Sequence, residues 1–210
     1  MQIRQVRDEE PEVDRYVAEC WEPYHEDLSE VVASHSLVDD ADRQSVVNHH
    51  RDLLEAPSNR LWVALDGVDD STASLSTTGA TFAGFVRTSL ETSPQPFDWP
   101  DRLAIHDTWV RESYRGSGLA GELVARVVRR ARECGCEQLT LDVGIDNERA
   151  VAFYEKLGFE IRSFRKHVPL QDLSLEPDDS ALTGSRSAFH LRRVRVEENV
   201  MHRFVEECWL

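Results

Sequence analysis

Lysine is nearly absent from this sequence, since only Lys156 and Lys166 stand among its 24 basic residues. The 39 acidic residues outnumber the basic ones and leave a formal net charge of −15. A protein that binds nucleic acid needs a basic face for the phosphates, so this balance argues against such a role. It favours a high-salt cytoplasm or a cationic partner. A GC-rich genome would explain the missing lysine but not the acidic excess, and we therefore expect a halophilic source.

Long hydrophobic runs are also missing. No apolar stretch approaches the roughly 20 residues that a membrane-spanning helix needs. The first residues, Met1 to Arg4, lack the apolar segment of a secretory signal. We therefore predict a cytoplasmic protein without membrane association.

Cysteine is scarce, and its spacing excludes the usual cysteine chemistry. The four cysteines are Cys20, Cys134, Cys136 and Cys208. They do not form the framework of a disulfide-rich fold, and Cys134 and Cys136 lack both the two-residue spacer and the second ligand pair of a zinc site. We predict reduced thiols, packed in the interior, and no metal.

Apolar spacing predicts a mixed α/β sheet, with strands and helices alternating after an antiparallel start. The composition, 40% hydrophobic, is sufficient for a packed core. The predicted strands are residues 3–7, 60–65, 81–88, 103–110, 138–143 and 159–170. The predicted helices are residues 9–24, 40–54, one that begins at Leu119 and ends before Gly135, and one between Asn147 and Gly158.

The end of the chain repeats its beginning. Residues 191–210 match residues 3–22 at ten of twenty positions without a gap, including Cys20-Trp21 against Cys208-Trp209. We interpret the match as a partial second copy of a domain, and two similar strand–helix ends under the same constraints are the alternative. The chain then divides into a domain at 1–170, a linker at 171–187 and a C-terminal strand–helix at 188–210. That last segment would complete the sheet or pair with a second copy in a homodimer.

A glycine-rich turn, residues 115–120, joins the strand at 103–110 to the next helix, and we call it the glycine loop. Glycines let the backbone approach a phosphate, and the exposed N–H groups of a helix start favour negative charge. A dinucleotide-binding fold is the competing interpretation. It is rejected because the turn lies in mid-chain and the third glycine, Gly121, comes one residue late.

Two sequence blocks stand in a fixed order along the chain. The first is Arg115, Gly118 and Ala120 at a strand-to-helix turn; the second is Asn147, Ala150 and the run Phe153–Phe159. Together they resemble the GNAT superfamily of acetyl-CoA-dependent N-acetyltransferases. The resemblance implies an α/β (α+β) fold with a mostly antiparallel, twisted sheet flanked by helices. It identifies residues 1–170 as the acetyltransferase domain.

The resemblance also implies a set of cofactor contacts. Backbone amides of Arg115, Gly116, Ser117, Gly118, Leu119 and Ala120 would hold the pyrophosphate of acetyl-CoA. Trp109 and Val110 lie where the family's strand carries a bulge, and their backbone would pair with the pantetheine arm. Asn147 would contact the cofactor in addition to capping its helix, or it only caps the helix.

Tyr154 occupies the position at which the family has a tyrosine that donates a proton to the leaving thiolate. The general base stays open between His106 and Asp107, which strand alternation places on opposite faces. His49, His50 and Glu55 are weaker candidates. Trp21, Tyr24 and His25 could line the acceptor site.

Two functions follow from these residues. The first is direct transfer of an acetyl group from acetyl-CoA to a primary amine of a small-molecule or peptide acceptor that the sequence does not identify. The second is a non-catalytic acyl-CoA-binding or assembly module, which the unsettled base and the repeated tail suggest.

Overall fold

Five strands form one sheet in which spatial order follows chain order. The computed structural model describes residues 1–32, 42–68, 72–93, 96 and 98–173. The strands are β1 (Gln2–Gln5), β2 (Asn59–Asp66), β3 (Thr81–Glu91), β4 (Arg102–Val110) and β5 (Gln138–Leu141). Neighbours pair antiparallel except β4 and β5, which are parallel. The predicted mixed, mostly antiparallel sheet is confirmed.

Helices cover both faces of this sheet. They are α1 (Glu10–Tyr16), α2 (Glu22–Ser29), α3 (Arg43–Glu55), α4 (Leu119–Glu133) and α5 (Glu148–Lys156). On one face Val13, Tyr16 and Val47 pack against Leu61 and Phe85. On the other face the apolar stripe of α4 packs against a separate cluster of strand side chains; the cluster includes Leu119, Leu123, Val127, Trp62, Val86 and Ile105. Within the described residues no helix combines the length and apolar character needed to cross a bilayer.

The first predicted helix continues to Ser29 because a π-helical turn, Val17–Trp21, joins α1 to α2. Pro23 has no N–H and cannot donate to the carbonyl of Glu19 one turn earlier. That carbonyl instead accepts a hydrogen bond from Arg111 Nη2 at 2.8 Å. The widened turn thus ties α2 to the chain that leaves β4.

Glycine ends two helices as the sequence predicts. Gly135 and Gly158 have φ of 72° and 88°, a region that favours glycine. After α5, Gly158 N–H donates to the Glu155 carbonyl and Phe159 N–H to the Tyr154 carbonyl. This Schellman arrangement stops α5 one turn after Tyr154 and so fixes the position of that residue.

The strand predicted for residues 159–170 is wrong. Residues 159–169 have no regular secondary structure, and a short 3₁₀ helix, Leu170–Asp172, follows. The apolar residues Ile161, Phe164 and Val168 are spaced by three and four rather than by two, so they do not make one face of a strand. All three are more than half exposed.

The chain divides into two units after Glu160. The first unit, residues 1–160, holds the whole sheet and all five helices. The second begins at Ile161, and most of the predicted linker at 171–187 and all of the repeated segment at 188–210 lie outside the described residues.

Glu12 of α1 is a buried carboxylate that connects this helix to Arg7, which follows β1, and to Ser74, in the segment before β3. Its side chain is 1% exposed. It accepts hydrogen bonds from Arg7 Nη2 at 2.6 Å and from Ser74 Oγ at 3.0 Å. Burial raises the pKa of this carboxyl, but the hydrogen bonds from Arg7 and Ser74 outweigh burial and leave the pKa below its usual value.

We expect Glu12→Gln to lower the free energy of unfolding at pH 7 by about 2–3 kcal/mol, since charge-assisted hydrogen bonds are lost in the interior. A group with a lowered folded-state pKa stabilises the fold above its unfolded pKa, near 4.3, and loses that effect as pH falls. The difference between the two proteins should therefore shrink below about pH 4. Urea unfolding at pH 7 and pH 3.5 measures it, and an equal difference at both would contradict the ionised state of Glu12.

Candidate active site

The sheet opens between β4 and β5, and the site lies at this opening. β5 pairs with β4 only over Arg102–Ile105. β4 continues to Val110, but β5 ends at Leu141. From His106 onward, the edge of β4 therefore has no neighbouring strand among the described residues.

A β-bulge at His106 decides which side chains face the site. Arg87 pairs with Asp107 and Thr88 with Ile105, so His106 is an extra residue in β4. Asp107 contacts Arg87, and His106 contacts Ser89, two positions along the same face of β3. The prediction that His106 and Asp107 lie on opposite faces is wrong, because the bulge interrupts the alternation.

The bulge predicted at Trp109 and Val110 is therefore found three residues earlier. The Arg111 amide donates to the Ala83 carbonyl of β3. Because alternate residues of an antiparallel strand bond to the same neighbour, the backbone of Trp109 also faces β3, and that of Val110 faces the opening. The Trp109 side chain is 6% exposed and packs in the core.

The glycine loop presents free amides at the start of α4. Gly116 and Gly118 have φ of 77° and 93°, and a Cβ at either position would meet no atom within 4 Å. The amides of Gly116, Gly118, Leu119 and Ala120 form no hydrogen bond to the described residues. These donors and the N-terminus of α4 form an uncharged anion site.

The Arg115 side chain is engaged in the fold rather than exposed to a ligand. Its Nε donates to the Val110 carbonyl at 3.0 Å, and its Nη2 donates to Asp27 of α2. Asp27 also accepts from Trp109 Nε1 at 2.7 Å. One carboxylate of α2 thus holds both the end of β4 and the glycine loop.

Asp107 is the centre of a polar cluster at the opening. Its Oδ2 accepts from Arg87 Nε at 2.7 Å, and its Oδ1 lies 3.4 Å from the hydroxyl of Tyr24. Burial raises the pKa of Tyr24, and the charge of Asp107 raises it further. The ion pair of Arg87 with Asp107 is largely shielded from solvent, since 17% of the Arg87 side chain and 20% of the Asp107 side chain are exposed.

Tyr154 joins this cluster from α5. Burial raises the pKa of its phenol, the Thr108 hydroxyl lowers it, and the charge of Asp107 raises it. The Thr108 side chain lies next to the Tyr154 phenol. Its Oγ1 is buried and forms no hydrogen bond to the described residues. The net shift of the pKa is upward, and a tyrosine with an ordinary or raised pKa is protonated at neutral pH, as a proton donor requires.

A cavity of about 470 Å³ adjoins Asp107 on the side of α2 and α3. Burial lowers the pKa of His50 to about 4, so this imidazole is neutral at pH 7. Its Nδ1 is buried and has no hydrogen-bond partner within the described residues. The lining residues are Trp21, His25, Asp42, Ser45, Val46, His49, His50, Leu53, Arg87 and Asp107.

Arg87 was missed in the sequence, although a signal for it exists. Alternation in β3 places it on the same face as Phe85, which is fully buried. A charged residue at a core-facing position of a strand indicates a buried partner or a ligand site. The partner, Asp107, is 20 residues away and is identified only by the pairing of β3 with β4.

Asn147 caps α5. Its Oδ1 accepts a hydrogen bond from the Ala150 amide at 3.1 Å, as the spacing predicts. The structure brings together Asp107, Tyr154 and Tyr24, and places His106 beside them on the same face of the sheet. Glu55 ends α3 and does not line the cavity.

An opened sheet edge, an uncharged loop of free amides and a carboxylate–tyrosine cluster beside a cavity thus lie together at the end of β4. The model of the acetyltransferase (GNAT) family matches residues 20–159. The chain therefore belongs to the GNAT acetyltransferase family, whose acyl donor is acetyl-CoA.

Curated relatives match part of the chain. The chain is 46% identical to N-alpha-acetyltransferase MAK3 of Arabidopsis thaliana over 50 residues, and this matched segment covers 24% of this chain and 26% of that protein. The chain is 36% identical to thialysine N-epsilon-acetyltransferase of Bos taurus over 61 residues, and this matched segment covers 29% of this chain and 36% of that protein. The chain thus matches about a quarter to a third of the length of these relatives.

Solved structures match most of the chain at low sequence identity. A tetramutant of the BH1408 protein from Bacillus halodurans superposes with a TM-score of 0.63 and 18% identity, over 81% of this chain and all of that one. The aminoglycoside N-acetyltransferase AAC(6')-Iy in complex with CoA superposes with a TM-score of 0.52 and 17% sequence identity, over 80% of this chain and 95% of that one. These similarities establish a shared fold.

Two glycines at the start of α4 offer a matched test of the loop geometry. Gly118→Ala should destabilise the fold by about 1–2 kcal/mol, because a Cβ is strained at φ of 93° although it meets no neighbour. Gly121→Ala should instead stabilise the fold by up to about 1 kcal/mol, because Gly121 lies inside α4 and alanine has the higher helix propensity. Denaturant unfolding of both variants checks the opposite signs. Equal effects would contradict the left-handed conformation of Gly118.

Proposed function

We propose that the protein transfers an acetyl group from acetyl-CoA to a primary amine by direct attack of the amine on the thioester. The observation that supports this most is the cluster in which Asp107 lies between the cavity and Tyr154, at the opening of the sheet beside the glycine loop. Acetyl-CoA supplies the acetyl group as an activated thioester.

The residues at the opening fit this donor. The free amides of Gly116, Gly118, Leu119 and Ala120 would hold its pyrophosphate without a lysine. The backbone of Val110 would pair with the pantetheine arm along the free edge of β4. Arg115 and Trp109 would act indirectly, since their side chains fix the loop and the strand through Asp27.

Two side chains would handle protons at the reacting atoms. The Tyr154 hydroxyl, which is protonated at neutral pH, would donate to the departing sulfur. Asp107 faces the cavity and would accept a proton from the attacking nitrogen as positive charge develops there. His106 also faces this side of the sheet, but its ring contacts Ser89 at 2.7 Å and does not line the cavity.

The acceptor would be a small-molecule or peptide amine. A cytoplasmic setting, a halophilic source and a homodimer stay predictions from the sequence.

Tyr154→Phe should lower kcat about 100-fold or more, because the leaving thiolate loses its proton donor. The dissociation constant for CoA should change little. Acetyl-CoA turnover against an amine panel and calorimetric titration with CoA measure the two quantities. Tyr114→Phe is the matched control, because its hydroxyl bonds the exposed Asp66 and lies outside the cluster.

Unchanged turnover in Tyr154→Phe would overturn the role of Tyr154. Binding of CoA by the wild-type protein without turnover of any amine would instead indicate the non-catalytic acyl-CoA-binding module.

Asp107→Asn and His106→Gln separate the two candidate bases. Asp107→Asn should lower kcat/KM about 100-fold, because an amide cannot accept the proton from the amine. His106→Gln should lower it less than about tenfold, since the imidazole is directed to Ser89. Steady-state assays under the same conditions decide, and the reverse order of effects would assign the base to His106.

A further inference from the structure

Arg87 has hydrogen-bonding capacity that the fold does not use. Its Nε donates to Asp107, but its two terminal nitrogens form no hydrogen bond to the described residues. The side chain is only 17% exposed, and it lines the cavity. A guanidinium presents its donors in a planar fork, which matches the two oxygens of a carboxylate.

The cavity around Arg87 holds charged groups of both signs. The charge of Asp107 is matched by Arg87 at 2.7 Å, and the neighbouring His50 is neutral at pH 7. Asp42, the other carboxylate of the lining, is engaged in capping α3 through the amides of Gln44 and Ser45. Among the described residues, the lining of this cavity therefore combines one guanidinium, Arg87, with the carboxylates of Asp107 and Asp42, and only Arg87 and Asp107 are in contact with each other.

A positive and a negative group side by side are complementary to a zwitterion. In an α-amino acid the ammonium nitrogen and the carboxylate are separated by one carbon atom. The adjacent Asp107 and Arg87 can meet these two groups in the same arrangement, so that the nitrogen lies against the carboxylate nearest Tyr154. The unpartnered Nδ1 of His50 and the ring of Trp21 are left for the remainder of the acceptor.

We propose that the acceptor is a free α-amino acid, and that Arg87 binds its carboxylate while Asp107 receives its amine. This inference rests on the proposed function. It makes Arg87 a specificity-determining residue, because an amine without the carboxylate leaves the two terminal nitrogens of the guanidinium desolvated and without a hydrogen-bond acceptor. The cavity of about 470 Å³ is of the size that holds a small molecule.

Three pairs of compounds that differ only in the carboxylate test the proposal: tryptophan and tryptamine, phenylalanine and phenethylamine, histidine and histamine. The kcat/KM values are calculated from the concentration of the unprotonated amine. At least one amino acid should then exceed its decarboxylated amine in kcat/KM by about tenfold or more. Loss of a charged hydrogen-bonding pair is worth about that factor. Arg87→Gln should abolish the preference, and Arg87→Lys should retain part of it.

Binding gives a readout that does not depend on turnover. Calorimetric titration of the CoA-bound protein with each compound should show tighter binding of the amino acid, and Arg87→Gln should remove the difference. Equal or tighter binding of the decarboxylated amine, or a preference that survives Arg87→Gln, would overturn the proposal. Acetylation of tryptamine alone would leave the acetyltransferase function standing, whereas binding of amino acids without any acetylation would overturn that function only.

Discussion

One extra residue in β4 determines the geometry of the whole site. Without the bulge at His106, strict alternation would direct His106 and Asp107 to opposite faces of the sheet. The bulge lets Asp107 pair with Arg87 and Ser89 contact His106 on one face. It also follows directly after Ile105, where β5 ceases to pair with β4. The position of the Asp107 carboxylate and the opening of the sheet thus arise at the same point of one strand.

Helix α2 connects the two halves of the site. Asp27 accepts hydrogen bonds from Trp109 and Arg115, so it joins α2 to the end of β4 and to the glycine loop. One turn earlier, Tyr24 approaches Asp107. The π-helical turn before α2 frees the Glu19 carbonyl for Arg111 and adds a further tie to β4. The glycine loop and the cavity beside Asp107 therefore share one supporting helix, and a shift of α2 would reach both.

The sequence indicates those features that depend on neighbouring residues. Helix ends at Gly135 and Gly158, the cap at Asn147 and the glycine loop follow from local backbone chemistry, and each is present. Features that depend on strand register were not accessible, because register is set by pairing between distant segments. The bulge at His106 and the ion pair of Arg87 with Asp107 are of this kind. The strand predicted at 159–170 is absent because its apolar residues are spaced by three and four positions rather than by two.

Net charge and local charge are separate properties in this protein. A formal charge of −15 predicts attraction of cations to the surface as a whole. At the site, however, the donor loop offers backbone amides, and Asp107 is matched by Arg87. Because nearby charges in a shielded cavity outweigh distant, screened ones, the proposed acceptor would be selected by the Arg87–Asp107 pair rather than by the acidic surface. A zwitterion crosses such a surface without net attraction or repulsion and gains its interactions only in the cavity.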